Sequence, residues 1–480
     1  MKAKITRLLL TAVLTMCCTV MTNAQVAYRD GKLLIENTGY KDGFEFALYK
    51  DYSYTYAYGD NVIKKSFSGN CAVVISGWID NSNIPSSVTY NDETYTVVAL
   101  SGTAHFSYFP NLVIPNSVEV IECNAFTNTG TEIPYQLNNL TFADGDKDLY
   151  CFPLIEAIAT AKGGTFLNVN TLKKLHLGRN LRYPGDDDNK QGNLAPFANG
   201  TFSELEVTVG PNVTKIPDFC FYKAPLSTLS LFQGVKTLNL SNATSLQSIG
   251  RCAFFSNSIN MALDFSKATS LQSIGDMAFG NCILFNNINF GNIPLTDIGA
   301  GAFLGCTNLS QAFFFSNTPP TFGESCFPEN TTVYVKNSNL ETEYSKVYDF
   351  KGKIIAYPDN MMLKYQTTDG KIIPYPTYHG TIPIYDPSIY NSYETGYGTM
   401  YFDHVLTSIG GNWFNECGSL FSISMPNTIS SIGELAFFQC TNLRTLVIPE
   451  SVNNIGKRAF RDCVSLHDVF FLGNNNSTIS

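Results

Sequence analysis

The sequence predicts a mainly β repeat solenoid, with coils of 23–25 residues that each lay down one short parallel strand, in two blocks behind an N-terminal β region. Three observations predict it. Apolar letters recur on a fixed period while the residues between them drift. Each unit is too short to close a core of its own, so it has to stack on its neighbours. Each unit also carries one alternating stretch that reads as a strand.

The period is clearest in "SISMPNTISSIGELAFFQCTNLRTLVIPESVNNIGKRAFRDCVSL", Ser422 to Leu466, where Ile432, Phe437 and Cys440 return 23 residues later as Ile455, Phe460 and Cys463. Ile409 is an earlier beat. "LNLSNATSLQSIGRCAF" and "LDFSKATSLQSIGDMAF" set Ile249 and Ile274 25 apart, and Ile298 follows at 24. "VIPNSVEVIECNAF" from Val113 and "VTVGPNVTKIPDFCF" from Val207 are degenerate copies.

In chain order, Lys2, Lys4 and Arg7 precede an apolar run from Leu8 to Val20, and Thr22-Asn23-Ala24 precedes Gln25. Residues 1–24 thus read as a secretory signal peptide, the run being too short to span a bilayer. A lipidated start at Cys17 or Cys18 competes, but Met16 stands where that processing takes a small residue, which favours cleavage after Ala24. Next come an N-terminal β region with an opening hairpin (25–105) and a first repeat block (106–330) with an insertion at 143–196. A closing segment (331–358), a β connector (359–402), a second block (403–472) and a tail (473–480) complete the order. The final stretch from Phe470, "FFLGNNNSTIS", ends without a recognisable cap. After residue 24 there are 28 basic and 40 acidic residues, a formal charge of −12 that argues against nucleic acid or anionic lipid as partner. No other stretch has the apolar length of a membrane helix.

Each repeat letter has a physical task. In "TLVIP" and "SISMP", Pro449 and Pro426 end the strand because proline has no N–H for the ladder. Gly250, Gly275, Gly299, Gly410, Gly433 and Gly456 follow the isoleucine, where a turn at positive φ is expected. Phe254, Phe279, Phe303, Phe437 and Phe460 fill the interior beside a small Ala.

These letters resemble the BspA-type leucine-rich repeat family of bacterial secreted and surface proteins, on "IPESVNNIGKRAFRDC", "SIGELAFFQC" and "DIGAGAFLGC". "IPSSVTYNDETYTVVAL" is similar to the family's opening hairpin, "LHLGRN" and "LAPFANGTF" to a spacer, "TVYVKNSNLETEYSKVYDFKGKI" to its closing segment, and "MMLKYQTTDGKIIPY" to a connector. Glu122 and Pro217 replace the turn glycine and Trp413 the small Ala, so distortion is expected there. The resemblance implies leucine-rich-repeat-like coils and a binding surface rather than a reaction. The expected protein is secreted, or sits at the outer surface or in the periplasm of a Gram-negative bacterium. It would bind host matrix or cell-surface proteins, would not be an enzyme, and would need no cofactor. A glycan-binding accessory role and a structural envelope role without a ligand are the alternatives.

Eleven cysteines follow residue 24. Cys282, Cys306, Cys417, Cys440 and Cys463 all stand three residues after a repeat Phe, a slot held elsewhere by Asn257, Ala224 and Thr129, which reads as an interior ladder of small side chains. Stacked in register, their Cβ vectors run parallel, poor geometry for a disulfide. Cys71, Cys123, Cys151, Cys220, Cys252 and Cys326 fall off this slot.

Catalytic patterns are thin. His105, His176, His379, His404 and His467 show no metal-ligand or triad spacing. "DGDKD" (Asp144–Asp148) spaces its carboxylates like a calcium loop but lacks the downstream Gly and bidentate Glu; with "GDDDNK" (Gly185–Lys190) it reads as solvated loop. "GAGAFLG" from Gly299 has the wrong spacing for a phosphate loop. Tyr52, Tyr54, Tyr56 and Tyr58 put four rings on one strand face, which either packs on the first coil or forms the candidate ligand-binding face.

Overall fold

The computed structural model describes residues 25–41, 43–58, 61–77, 83–103, 109–126, 137–153, 164–166, 169–184, 194–200, 202–223, 234–260, 262–347, 352–373, 390–394, 396–473 and 478–479. The signal peptide, His105, Thr129, Ala224, His379, the Gly185–Lys190 cluster and most of the tail lie outside these. The chain divides into two compact units, one of residues 1–333 and 342–354, the other of 334–341 and 355–480.

The first unit opens with β1 (Gln25–Ile35), β2 (Tyr40–Lys41), β3 (Phe44–Tyr58), β4 (Asn61–Gly77), β5 (Ser87–Tyr90) and β6 (Glu93–Leu100). β3 is antiparallel to both β1 and β4, while β4 runs parallel to β6. β6 then pairs in parallel with Val120–Ile121, so an antiparallel cap passes directly into the parallel stack. The cap sheet itself continues in parallel through Leu149–Cys151 and Leu181–Arg182, and further ladders run beside it. One joins Asn111–Ile114, Asn139–Phe142, Lys174–Leu177, Leu205–Val209 and Val235–Asn239; a second registers Ile216, Ile249, Ile274, Ile298 and Phe322 coil on coil; a third joins Leu263–Asp264, Asn287–Gly291 and Gln311–Phe314. Residues 143–196, expected as an insertion, instead supply Leu149–Cys151, Lys174–Leu177 and Leu181–Arg182 to these ladders. The coil is drawn out, Leu140 pairing with Leu175 35 residues on, which hides it from a search at 23–25.

The second unit repeats this logic. Met362–Thr367 is antiparallel to Tyr397–Tyr401 on one side and to Leu420–Ser424 on the other, and from Leu420–Ser424 the pairing turns parallel through Thr445–Ile448 to Asp468–Phe471. That last strand ends the sheet among the described residues and is exposed along its length, with Phe470 at 56%.

Inside the first unit the repeat phenylalanines form one column. Phe166, Phe197, Phe221, Phe254, Phe279, Phe303 and Phe327 lie ring on ring at 4.5–5.4 Å with interplanar angles of 1–13°. Phe414, Phe437 and Phe460 do the same in the second unit at 5.1 and 5.3 Å. Ile409, Ile432 and Ile455 are buried beside them, and Phe460, in the last coil, is half-buried. Removing one interior ring leaves a cavity worth about 3–5 kcal/mol.

The glycines after the isoleucine do not turn the chain at positive φ, which corrects the expectation from sequence. The left-handed residues come later, at Cys252, Met277, Leu435 and Arg458, and again four residues on, at Ser256, Asn281, Gln439 and Asp462. Glycine is needed for a different reason: a Cβ on Gly275 would stand 2.6 Å from the Arg251 nitrogen, and one on Gly433 2.4 Å from the Gly411 nitrogen of the preceding coil. The two left-handed residues per coil aim alternate N–H groups along the solenoid. Cys252, Phe254 and Ser256 donate to Asp276, Ala278 and Gly280 of the next coil, while Ala253, Phe255 and Asn257 close bonds within their own turn. This satisfies the backbone of a segment that has no regular strand or helix.

The three degenerate positions are accommodated. Trp413 stacks on Phe402 at 5.8 Å in the first coil of its block, Ile216 beside Pro217 keeps its place in the ladder, and Glu122 anchors the cap described below. Two substitutions in one coil separate the roles of glycine. Gly456→Ala, whose Cβ would sit 2.5 Å from the Glu434 nitrogen, should lower stability by about 1–3 kcal/mol. Arg458→Gly, at φ 58° on an exposed residue, should hold or raise the melting temperature. Thermal unfolding of both variants checks this; the reverse ranking would return the turn to the glycine.

Candidate recognition surface

Of the two readings of the tyrosine row, packing on the coils and a ligand-binding face, the structure carries the first. Tyr52, Tyr54 and Tyr56 are 1%, 4% and 0% exposed, and the Tyr58 side chain lies outside the described residues. The alternation of β3 does gather the rings on one face, but that face lies on the first coil. Tyr54 and Tyr56 meet Phe152 at 5.0 and 5.2 Å, and Tyr54 Oη accepts a bond from the Cys123 N–H. They are packing residues.

Tyr52 belongs to a polar cluster that the sequence did not reveal. Its hydroxyl donates to Glu122 Oε1 at 2.6 Å, the Arg29 guanidinium grips both Glu122 oxygens at 2.6 Å and also reaches Ser101, and the Gly102 N–H donates to Glu122 Oε2. Burial and then Glu122 hold the Tyr52 phenol well above its ordinary value. Burial opposes the Arg29 charge, yet the bonds to Glu122 outweigh it and hold the guanidinium up. Three chain segments meet on one carboxylate. The only sequence signal was Glu122 in place of glycine.

None of the described cysteines, in the slot or off it, forms a disulfide. They are more than small apolar fillers. Cys282, Cys306, Cys440 and Cys463 each donate to the carbonyl of the repeat Phe one coil back, at 3.1, 3.1, 3.0 and 3.0 Å. Asn257 does the same with its amide, to Phe221 O at 2.7 Å, and accepts from the Val235 N–H. In these coils the slot accepts a compact donor, which explains the exchange of Cys with Asn.

The "DGDKD" carboxylates do not converge. Asp144 binds His176 at 2.9 Å, Asp146 accepts from Asn116, and Asp148 pairs with Arg182 at 2.9 Å. No group of metal-ligating residues forms among the described residues. His404 pairs with Asp403.

In the first unit the strand face points outward. Pairing registers Asn139, Lys174 and Glu206 in one row and Thr141, His176 and Thr208 in the next. Lys174 and Glu206 side chains are 68% and 54% exposed and 3.8 Å apart. A second exposed feature lies on the turn edge, where Tyr222 stacks on Phe255 at 5.6 Å and Arg251 covers Phe219 at 5.7 Å.

The model of the BspA type leucine rich repeat region matches residues 230–351 and 392–480, in six copies. Residues 230–351 and 392–480 are BspA-type leucine-rich repeats. Among solved structures, it is similar at 16% identity to a leucine rich cell surface protein from Faecalibacterium prausnitzii A2-165, over 95% of this chain and 97% of that one, with a TM-score of 0.22. A leucine-rich repeat protein from Bacteroides ovatus ATCC 8483 matches at 16% over 85% and 95%, TM-score 0.21, and the pneumococcal vaccine antigen PcpA at 13% over 68% and 99%, TM-score 0.20. No curated protein matches the chain. No helix among the described residues is long and apolar enough to cross a membrane.

Three measurements check the packing of these groups. Burial pushes the Cys282 and Cys417 thiols up to about 12, so above the ordinary value of about 8.5 the unfolded chain loses protons that the native state keeps. The thiol contribution to stability should be flat below about pH 8 and fall as pH rises from about 9 to 12. Slot cysteines should resist alkylation until the protein unfolds; modification of Cys282 in the native state would remove the ladder assignment. Glu122→Gln should destabilise the cap by roughly 3 kcal/mol, the low end for breaking a buried pair because Arg29 keeps 28% of its side chain in solvent. Chemical denaturation of that variant reads this; an unchanged midpoint would mean the cluster is incidental.

Proposed function

We propose that this protein is an exported binding protein, secreted or displayed at the cell surface, that recognises a protein partner of a host or neighbouring cell through the outward strand face of its first unit. One observation carries the reading. Every repeated letter is already engaged in the interior, in the ring column, the isoleucine ladder or the thiol bonds, so only the outward positions are free to vary. Those positions hold chemically diverse polar groups on a rigid parallel sheet, the arrangement in which a solenoid offers an extended recognition surface. The signal-peptide reading of residues 1–24 supports export, and nothing in the described residues assembles a nucleophile, base and oxyanion site.

The test uses residues 25–480 against immobilised collagen, laminin and fibronectin and against whole host cells. A quadruple variant, Lys174→Ser, His176→Ser, Glu206→Ser and Thr208→Ala, removes the centre of both rows. Binding should fall at least about tenfold with the melting temperature unchanged, since all four side chains stand off the core. Full binding by the variant would place recognition elsewhere.

A further inference from the structure

The second unit holds an open cavity of about 460 Å³ where Met362–Thr367 meets the first solenoid strand, Leu420–Ser424. Asn360 and Thr428 line it, and the Oδ1 of the one and the Oγ1 of the other are buried with no hydrogen-bond partner. Buried polar atoms in folded proteins are overwhelmingly paired, so two unpaired ones on one cavity wall mark a place where a bonding partner is missing. Asp359 and Lys364 also line the cavity, with Lys364 Nζ 3.3 Å from Asp359 Oδ1, and Met362 and Met425 supply a small apolar patch.

These groups restrict the ligand. The paired opposite charges favour neither an anion nor a cation. The amide oxygen and the carboxylate accept only, while the hydroxyl and the ammonium can donate, so the complement is a ligand dense in hydroxyls that both donate and accept. An added peptide strand is excluded at Met362–Thr367, because that strand is already paired on both edges. The volume falls in the range of small-ligand sites, roughly 300–1,000 Å³.

We propose that this cavity is a carbohydrate subsite that takes one neutral sugar ring, with Asn360 Oδ1 and Thr428 Oγ1 bonding its hydroxyls and the two methionines lying against its C–H face. The proposal is independent of the strand-face reading, which concerns the other unit.

The experiment uses residues 25–480 labelled at the methionine methyl groups and titrated with galactose, mannose, fucose and N-acetylglucosamine. At least one sugar should shift the Met362 and Met425 methyl resonances saturably and leave that of buried Met400 in place. Thr428→Val, which keeps the shape and removes the hydroxyl, and Asn360→Ala should each weaken that sugar at least about tenfold. Thr428→Val should also leave the melting temperature level or higher, because an unpaired buried hydroxyl stabilises nothing. No saturable shift with any of the four sugars, shifts indifferent to both variants, or a lower melting temperature for Thr428→Val would each overturn the proposal.

Discussion

Ring-on-ring contact between successive phenylalanines, at 4.5–5.4 Å, is the constraint the repeats obey. Strands in a sheet repeat at about 4.8 Å, so a flat ring and a strand can share one rise per coil. Any coil that fits the ladder therefore also fits the column. The same rise fixes the reach of the thiols, which bridge from one coil to the carbonyl of the phenylalanine behind it. It also fixes the glycines, since at that spacing the wall of one coil leaves no room for a Cβ on the next.

Close approach has a conformational consequence. To aim N–H groups along the solenoid axis without a regular strand, turns such as those at Cys252 and Ser256 or Leu435 and Gln439 place two residues in the left-handed region, and most of these carry side chains. Left-handed backbone disfavours such residues by about 1–2 kcal/mol each. The strain is tolerated because each turn makes three backbone bonds to the next coil, as Phe437 and its neighbours do with Lys457, Ala459 and Arg461.

A stack of this kind needs an end. In the first unit the end is the long hairpin of β3 and β4, fastened by Arg29, Tyr52 and Ser101 around Glu122. Glutamate is acceptable there, where later coils require glycine, because at this point the group that meets it is the cap and not another copy of the turn. In the second unit antiparallel strands take that place over the first parallel strand, and Trp413 fills the position of a small alanine by stacking on Phe402. Two of the three departures from the repeat, Glu122 and Trp413, thus mark first coils, while Pro217 lies further along the stack.

The sequence by itself determined the repeat, its period and the inward letters, because stacking forces the same apolar residue into the same place in every coil. Ile432, Phe437 and Cys440 could be placed in the interior from spacing alone. It did not determine why Gly433 is glycine, since a positive φ and a close approach leave the same letter behind. It did not separate a covered tyrosine row from an exposed one, because strand alternation groups Tyr52, Tyr54 and Tyr56 without saying which face the first coil covers. The drawn-out coil around Leu175 was hidden by its length. The Glu122 cluster and the cavity at Asn360 and Thr428 were invisible for a common reason: each joins residues far apart in the chain, Arg29 with Glu122 93 positions on and Asn360 with Thr428 68 on, that carry no shared period and meet only when the cap closes on the stack.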